Sequence, residues 1–157
     1  MMTSIALTLD LTDEAATRSL GETLAGMARA GDVIALSGTL GTGKSTLARA
    51  FIRFLTTPDE DVPSPTFTLV QIYDTEAGTV WHFDLYRLEK PDDALELGLD
   101  DAFADGISLM EWPDRLGPLL PRRRLDVTLA AGDTETSRKA TLTARGAWAD
   151  RLGELMP

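Results

Sequence analysis

Residues 38–45 read Gly-Thr-Leu-Gly-Thr-Gly-Lys-Ser, and their types and spacing suit one task above others, the holding of phosphate. Gly38 and Gly43 permit backbone angles and close approaches that a side chain would block, so successive N–H groups can converge on phosphate oxygens. Lys44 adds a mobile positive charge for the outer phosphates, and Ser45 a hydroxyl for a magnesium ion. Every fixed position of the pattern G-x-x-x-x-G-K-[ST] is met. The flanks agree with it. Val33-Ile34-Ala35-Leu36 is a short apolar run suited to a buried central strand, while Leu47, Ala48, Phe51, Ile52 and Leu55 fall on one face of a helix ended by Thr56-Thr57-Pro58. That helix brings its positive dipole end to the loop. The competing reading is a glycine-rich turn that merely caps a helix, and the matching flanks favour the phosphate loop.

A magnesium ion held by Ser45 and phosphates alone is under-coordinated, so an acid is expected at the end of a neighbouring apolar strand. Asp84 follows Val80-Trp81-His82-Phe83, and Glu111 follows Ile107-Ser108-Leu109-Met110. Spacing alone balances each against a solvated acid at a strand end. The Pro58–Thr66 loop stands where such proteins carry an element sensing the third phosphate, with Ser64 or Thr66 as the sensing hydroxyl; a plain connector is the alternative. Trp112 reads as a packing aromatic in preference to a cover over the site, and His82, inside a strand, as a structural residue.

The elements that must position these residues alternate along the chain. Ile5, Leu7 and Leu9 predict a first strand, and Thr12-Asp13-Glu14 caps a helix carrying Ala16, Leu20, Leu24 and Met27 that ends at Gly31-Asp32. Strands are expected over Phe67–Tyr73 and Thr79–Leu85 as a hairpin, then two short helical pieces from Pro91 to Phe103 broken at Gly98, and a strand over Ile107–Met110. Leu125, Val127 and Leu129 alternate, Ala131-Gly132-Asp133 turns, Ala140–Thr143 pairs back, and Ala147–Leu155 forms a last helix.

With 157 residues, 43% hydrophobic and 25% charged, the chain suits one domain, 1–157, with its own core. No apolar run approaches the roughly 20 residues that cross a bilayer, and the start lacks the layout of a signal peptide, so the cytoplasm is the expected compartment. The absence of cysteine and the single histidine, His82, remove disulfide scaffolds, thiol nucleophiles, Cys/His zinc sites and any Ser-His-Asp triad not built on His82. A net charge of -10, from 25 acids against 15 Lys plus Arg, opposes free-standing nucleic-acid binding. The run Arg122-Arg123-Arg124 reads as a solvated edge.

Four blocks in series resemble the TsaE (YjeE) family, the small bacterial ATPases of tRNA threonylcarbamoyladenosine formation. They are Leu36–Thr46 around the phosphate loop, Ser64-Pro65-Thr66-Phe67-Thr68-Leu69-Val70, His82-Phe83-Asp84-Leu85-Tyr86-Arg87-Leu88 and Glu111-Trp112-Pro113. The resemblance covers about Leu7 to Leu129, and the tail beyond Gly132 carries no motif. It implies one α/β domain with a mixed sheet between helices, a P-loop NTPase fold. The nucleotide, ATP or ADP, would lie against Gly38, Thr39, Leu40, Gly41, Thr42, Gly43, Lys44, Ser45 and Thr46. Ser45 and Glu111 would hold Mg2+, Asp84 would be the acid needed for hydrolysis, Thr66 would belong to a first switch segment, and Trp112 would adjoin Glu111 in a second. Lys44, Asp84 and Thr66 are thus the expected catalytic set. Thr42 and Ser45 stand where the family most often has Ala and Thr, changes that preserve size or hydroxyl chemistry. The resemblance further implies weak ATP hydrolysis alone and action on a complex of TsaD and TsaB, with TsaD transferring the threonylcarbamoyl group and tRNA met only through that complex.

Three rival readings stay open here. A small GTPase shares the loop, but the chain has no asparagine, and Glu89-Lys90-Pro91-Asp92 lacks the amide of a guanine reader. A small-molecule kinase would use Arg122–Arg124 as a lid and Asp84 as a base for the acceptor. A nucleotide-responsive binding module would bind tightly without turnover.

Overall fold

Alternating exposed and half-buried side chains through Ser4–Leu11 form β1, the period-two pattern of a strand with one face on the core. Asp13 then starts α1 (Glu14–Met27), its Oδ1 accepting the Ala16 N–H at 2.8 Å. The next strand, β2 (Val33–Ser37), is apolar without alternation because both of its faces are covered, and it feeds α2 (Lys44–Leu55). A hairpin of β3 (Val70–Thr75) and β4 (Gly78–Asp84) follows. After a 3-10 segment over Pro91–Leu97 come α3 (Leu99–Asp105) and β5 (Ile107–Glu111), and after another over Pro113–Leu119 come β6 (Leu125–Ala131), β7 (Arg138–Arg145) and α4 (Ala147–Gly153). This computed structural model describes residues 4–39 and 41–153. The expected phosphate contact at Leu40 and the helical end at Leu155 lie outside them.

The fold is α/β. One mixed sheet has the order β1-β7-β6-β2-β5-β4-β3, with β2 central and parallel to both β5 and β6, and β4 parallel to β5. The remaining pairs, β1 with β7, β6 with β7 and β3 with β4, are antiparallel. Helices α1 and α2 share one apolar cluster with the sheet, built on Leu24, Ile34, Leu36, Leu47, Phe51 and Ile52, all fully buried. A second cluster on Phe83, Leu85, Ala94, Leu99, Met110 and Leu116 includes residues of α3 and both 3-10 segments. Burying each large side chain contributes about 1.5–3 kcal/mol, so the central strand is held rigidly from both faces. Asp32 and Arg151 join the end of α1 to α4 through a part-buried bidentate pair, one arm 2.9 Å long.

Several boundaries differ from the sequence reading. The third strand begins at Val70, because Pro65 to Leu69 form a turn in which the Leu69 N–H donates to the Pro65 carbonyl at 2.7 Å and Leu69 takes φ 69°. Leu85 leaves β4, and its N–H donates to the Glu111 carbonyl at 3.1 Å. The first helix stops at Met27, short of Gly31-Asp32. The break at Gly98 between two short helical pieces is as expected, as is the β3–β4 hairpin. The returning strand is longer than expected, starting at Arg138.

Candidate nucleotide site

Strand register gathers the site. The carboxyl ends of β1, β2, β4, β5 and β6 lie along one edge of the sheet, since Leu36 pairs with Glu111, Glu111 with Asp84, Ser37 with Thr128 and Leu11 with Arg138. Ligands of open α/β sheets bind outside that edge. The loop after β2 therefore has the acids of β4 and β5 on one side and the start of β7 on the other. A cleft of about 340 Å³ runs over it, lined by Gly41, Gly43, Lys44, Ser45 and Thr46 of the loop, by Ser64, Thr66, Asp84, Glu111 and Trp112, and by Glu14, Thr17, Thr136 and Arg138.

The loop requires its glycines for two separate reasons. At Gly38, φ is 142°, and a Cβ would stand 2.5 Å from the Leu129 carbonyl oxygen and 2.7 Å from Thr42 Oγ1. Gly43, at φ 99°, turns the chain into α2 in the left-handed region. Thr42 Oγ1 donates to the Thr39 carbonyl at 2.7 Å and braces the bend from within. Lys44 is 5% exposed; its Nζ donates to the Gly38 carbonyl and lies 3.7 Å from the Trp112 ring centroid. Burial lowers the Lys44 pKa from its ordinary 10.5, against the opposing pull of Glu111, Asp84 and Asp114. Ser45 is exposed at the first turn of α2.

At the acidic end, Glu111 Oε2 is 2.8 Å from His82 Nε2, with both side chains buried. A carboxylate only accepts, so His82 carries its proton on Nε2 and donates it. His82, read from the sequence as a structural residue, stands against Glu111 and orients it. Asp84 Oδ2 accepts from Thr66 Oγ1 at 3.2 Å, its Oδ1 accepts from the Tyr86 N–H at 3.1 Å, and Thr66 Oγ1 lies 2.7 Å from Ser64 Oγ. The 64–66 segment is in this way tied to the end of β4. Among the described residues no three His, Cys, Asp or Glu side chains converge as a metal site. The donors that do lie here, the Ser45 hydroxyl and the Asp84 and Glu111 carboxylates, are the hard oxygens a magnesium ion takes, with phosphate oxygens completing its shell.

Trp112 is half-buried and packs against the second apolar cluster, the role the sequence favoured, and with its left-handed φ of 58° it also walls the cleft over Lys44. Its ring is also 5.0 Å from that of Tyr86. Glu14, Thr17, Thr136 and Arg138 reach the cleft with no sequence motif to announce them. Arg138 comes from the segment beyond Gly132 that carried none, and its Nη2 donates to the Gly41 carbonyl at 3.0 Å. The strand-pairing pattern of β6 with the return strand was the one available signal.

A family model described as "Threonylcarbamoyl adenosine biosynthesis protein TsaE" matches residues 11–140. The chain belongs to the TsaE family. It is 34% identical over 125 residues to the tRNA threonylcarbamoyladenosine biosynthesis protein TsaE of Rickettsia bellii, covering 80% of this chain and 87% of that one. Against the Bacillus subtilis TsaE it is 38% identical over 132 residues, 83% of this chain and 80% of the relative. The Nostoc TsaE is 39% identical over 138 residues, 85% and 83%. The crystal structure of Bacillus subtilis YdiB shares the fold at a TM-score of 0.76 and 28% identity, over 97% of this chain and 94% of that chain. The TsaE role lies in tRNA threonylcarbamoyladenosine biosynthesis, and the matched range reaches past Leu129 to include Arg138. Among the described residues no helix is long and apolar enough to cross a membrane.

Proposed function

We propose that the chain binds ATP with Mg2+ in this cleft and hydrolyses it to ADP, slowly alone and faster on a complex of TsaD and TsaB, as a single domain working in the cytoplasm. The observation that carries the reading is the convergence of Lys44, Ser45, Asp84 and Glu111 on one phosphate loop at the carboxyl edge of the sheet. The backbone of Gly38, Thr39 and Leu40 through Thr46 cradles the phosphates, with the Lys44 ammonium on the outer ones. Ser45 and Glu111 would hold a magnesium ion, which would supply charge neutralisation for the phosphates. Asp84 orients the attacking water, and Thr66, hydrogen-bonded to Asp84, reports the third phosphate to the 64–66 segment.

Family membership supports the assignment to TsaD and TsaB, and so does the exposed apolar surface beside the cleft, where Phe67 is 80% exposed and Tyr86 45%. The chain does not transfer the threonylcarbamoyl group itself, and tRNA reaches it only through the complex. A kinase reading is weakened by Arg122–Arg124, none of which lines the cleft; Arg124 is occupied by Asp126 at 2.8 Å and the Pro121 carbonyl.

The test is the magnesium-dependent release of phosphate from ATP and from GTP by the purified chain, alone and with TsaD and TsaB. Stimulation of ATP turnover by the pair, abolished in Lys44→Ala, is expected. Faster GTP turnover, or no stimulation of a folded, ATP-binding chain, would overturn the reading.

A further inference from the structure

We propose that the groove between α1 and α2 is a docking site for an acidic amphipathic helix of a protein partner; this rests on the partner-activated reading above and names the surface on which the partner acts. The two helices run parallel away from the phosphate loop, because their contacts advance together along both. A Cβ on Gly43 would meet Thr17, one on Gly21 would meet Leu47 and Ala50, and one on Gly26 would meet the Phe54 ring. At Gly21 that Cβ would stand 2.5 Å from the Leu47 carbonyl oxygen, so glycine is what lets the backbones come this close. With Gly21 and Ala50 both small, the outer side chains stand as two walls over a low floor, enclosing about 500 Å³. Arg18 and Glu22 rise on the α1 side, Arg49 and Arg53 on the α2 side, and Phe54 stands at the far end. The α1 wall from Glu14 to Glu22 spans about 12 Å, a little over two helical turns. A third helix laid alongside the pair fits that shape.

The lining selects the occupant. On a chain of net charge -10, α2 carries Lys44, Arg49 and Arg53 and no acid. Arg18 is already paired with Glu14 at 3.1 Å, whereas among the described residues no carboxylate pairs with Arg49 or Arg53. The Arg53 Nε–H donates to the Glu60 carbonyl at 3.0 Å, which orients the guanidinium without neutralising it. Next in the chain, Phe54 is 53% exposed. A partner helix with two carboxylates one turn apart would meet the two guanidiniums, themselves one turn apart, and an apolar side chain beyond them would cover Phe54. Nucleic acid is opposed by Glu14 and Glu22 on the facing wall, and a second copy by the repulsion of two chains that are each strongly acidic. The groove also opens toward the nucleotide: Glu14 and Thr46 line both it and the cleft, and Thr46 lies in the first turn of α2, directly after Ser45. A helix docked here bears on the turn that ends the phosphate loop, which couples docking to turnover.

The probe is the purified TsaD–TsaB complex, and its association with the full chain in Mg·ATP is measured by biolayer interferometry for the wild type, Arg49→Glu, Arg49→Lys and Phe54→Ser. Arg49→Glu should weaken association by about 30-fold or more, since it sets like charge against like, Phe54→Ser by roughly tenfold, and Arg49→Lys by less than about threefold. Mg·ATP affinity by calorimetry, Tm and turnover of the chain alone should stay at wild-type values, while stimulation by the pair falls with association. Association unchanged in both Arg49→Glu and Phe54→Ser would overturn the groove and leave the partner-activated ATPase standing. A wild-type chain that binds Mg·ATP but not the pair would overturn both. Two further results would also overturn the proposal: tRNA retained by the wild-type chain alone and lost in Arg49→Glu, which would give the groove to nucleic acid, and a wild-type dimer in sedimentation that Phe54→Ser dissociates, which would give it to a second copy.

Discussion

Replacing Lys44 by methionine should move stability and nucleotide affinity in opposite directions. The side chain is nearly fully buried, and burial lowers its pKa, so the folded protein holds the ammonium at a net cost despite the Gly38 carbonyl and the Trp112 ring. Methionine has similar length and volume and removes the charge, so Lys44→Met should unfold at the wild-type Tm or slightly above, within about 2–4 °C for a change near 1 kcal/mol. The sign has a pH signature. A lysine with a lowered folded pKa destabilises the fold below that pKa, and the penalty disappears as pH rises through it toward 10.5, the unfolded value. Any Tm advantage of Lys44→Met at neutral pH should therefore shrink on going alkaline. For nucleotide the same change removes charge-assisted hydrogen bonds to phosphate, each about 1.5–3 kcal/mol, a loss of roughly 10- to 150-fold in affinity. Thermal unfolding across pH and ATP calorimetry read the two effects separately. A neutral-pH Tm lowered by more than about 4 °C would mean that the ammonium stabilises the fold. Unchanged ATP affinity would take Lys44 out of the phosphate site.

Glu111→Ala should weaken the magnesium dependence of nucleotide binding, whereas a magnesium titration identical to wild type would remove Glu111 from the metal. His82→Leu takes away the donor that orients Glu111 and should raise the magnesium requirement about 10- to 100-fold, with His82→Gln retaining much of the wild-type value. Asp84→Ala should lower partner-stimulated turnover far more than ATP affinity, and equal losses would point to binding or folding. Gly38→Ala combines a disfavoured φ, about 1–3 kcal/mol, with a collision against the Leu129 carbonyl, so Tm should fall by about 5–10 °C and ATP binding weaken; an unaffected Tm would show that the loop yields freely.

How much of the site was legible depended on how far apart its parts lie. The phosphate loop was readable because eight contiguous residues encode their own geometry: two glycines set the bend, Thr42 braces it on Thr39, and α2 begins at Lys44. The acids at the ends of β4 and β5 were readable as candidates from apolar runs that stop at Asp84 and Glu111. Their neighbours were not. That His82 grips Glu111 follows from the parallel register of β4 on β5, and that Trp112 caps Lys44 follows from a left-handed backbone turn just after β5. The start of the third strand was misplaced because Phe67, Thr68 and Val70 are strand-favouring residue types, while the backbone before Val70 is held in a turn closed by the Pro65 carbonyl.

The residues by themselves thus determined the phosphate-binding chemistry, the alternation of strand and helix around it and the family likeness, since each is written in local pattern. Only the tertiary structure decided which side chains share the cleft. Glu14, Thr17 and Arg138 stand beside the loop because β1 and β7 pair in antiparallel register at the edge where β2 ends, and the return of β7 beside β6, which the sequence does signal, does not say that β1 pairs on its far side.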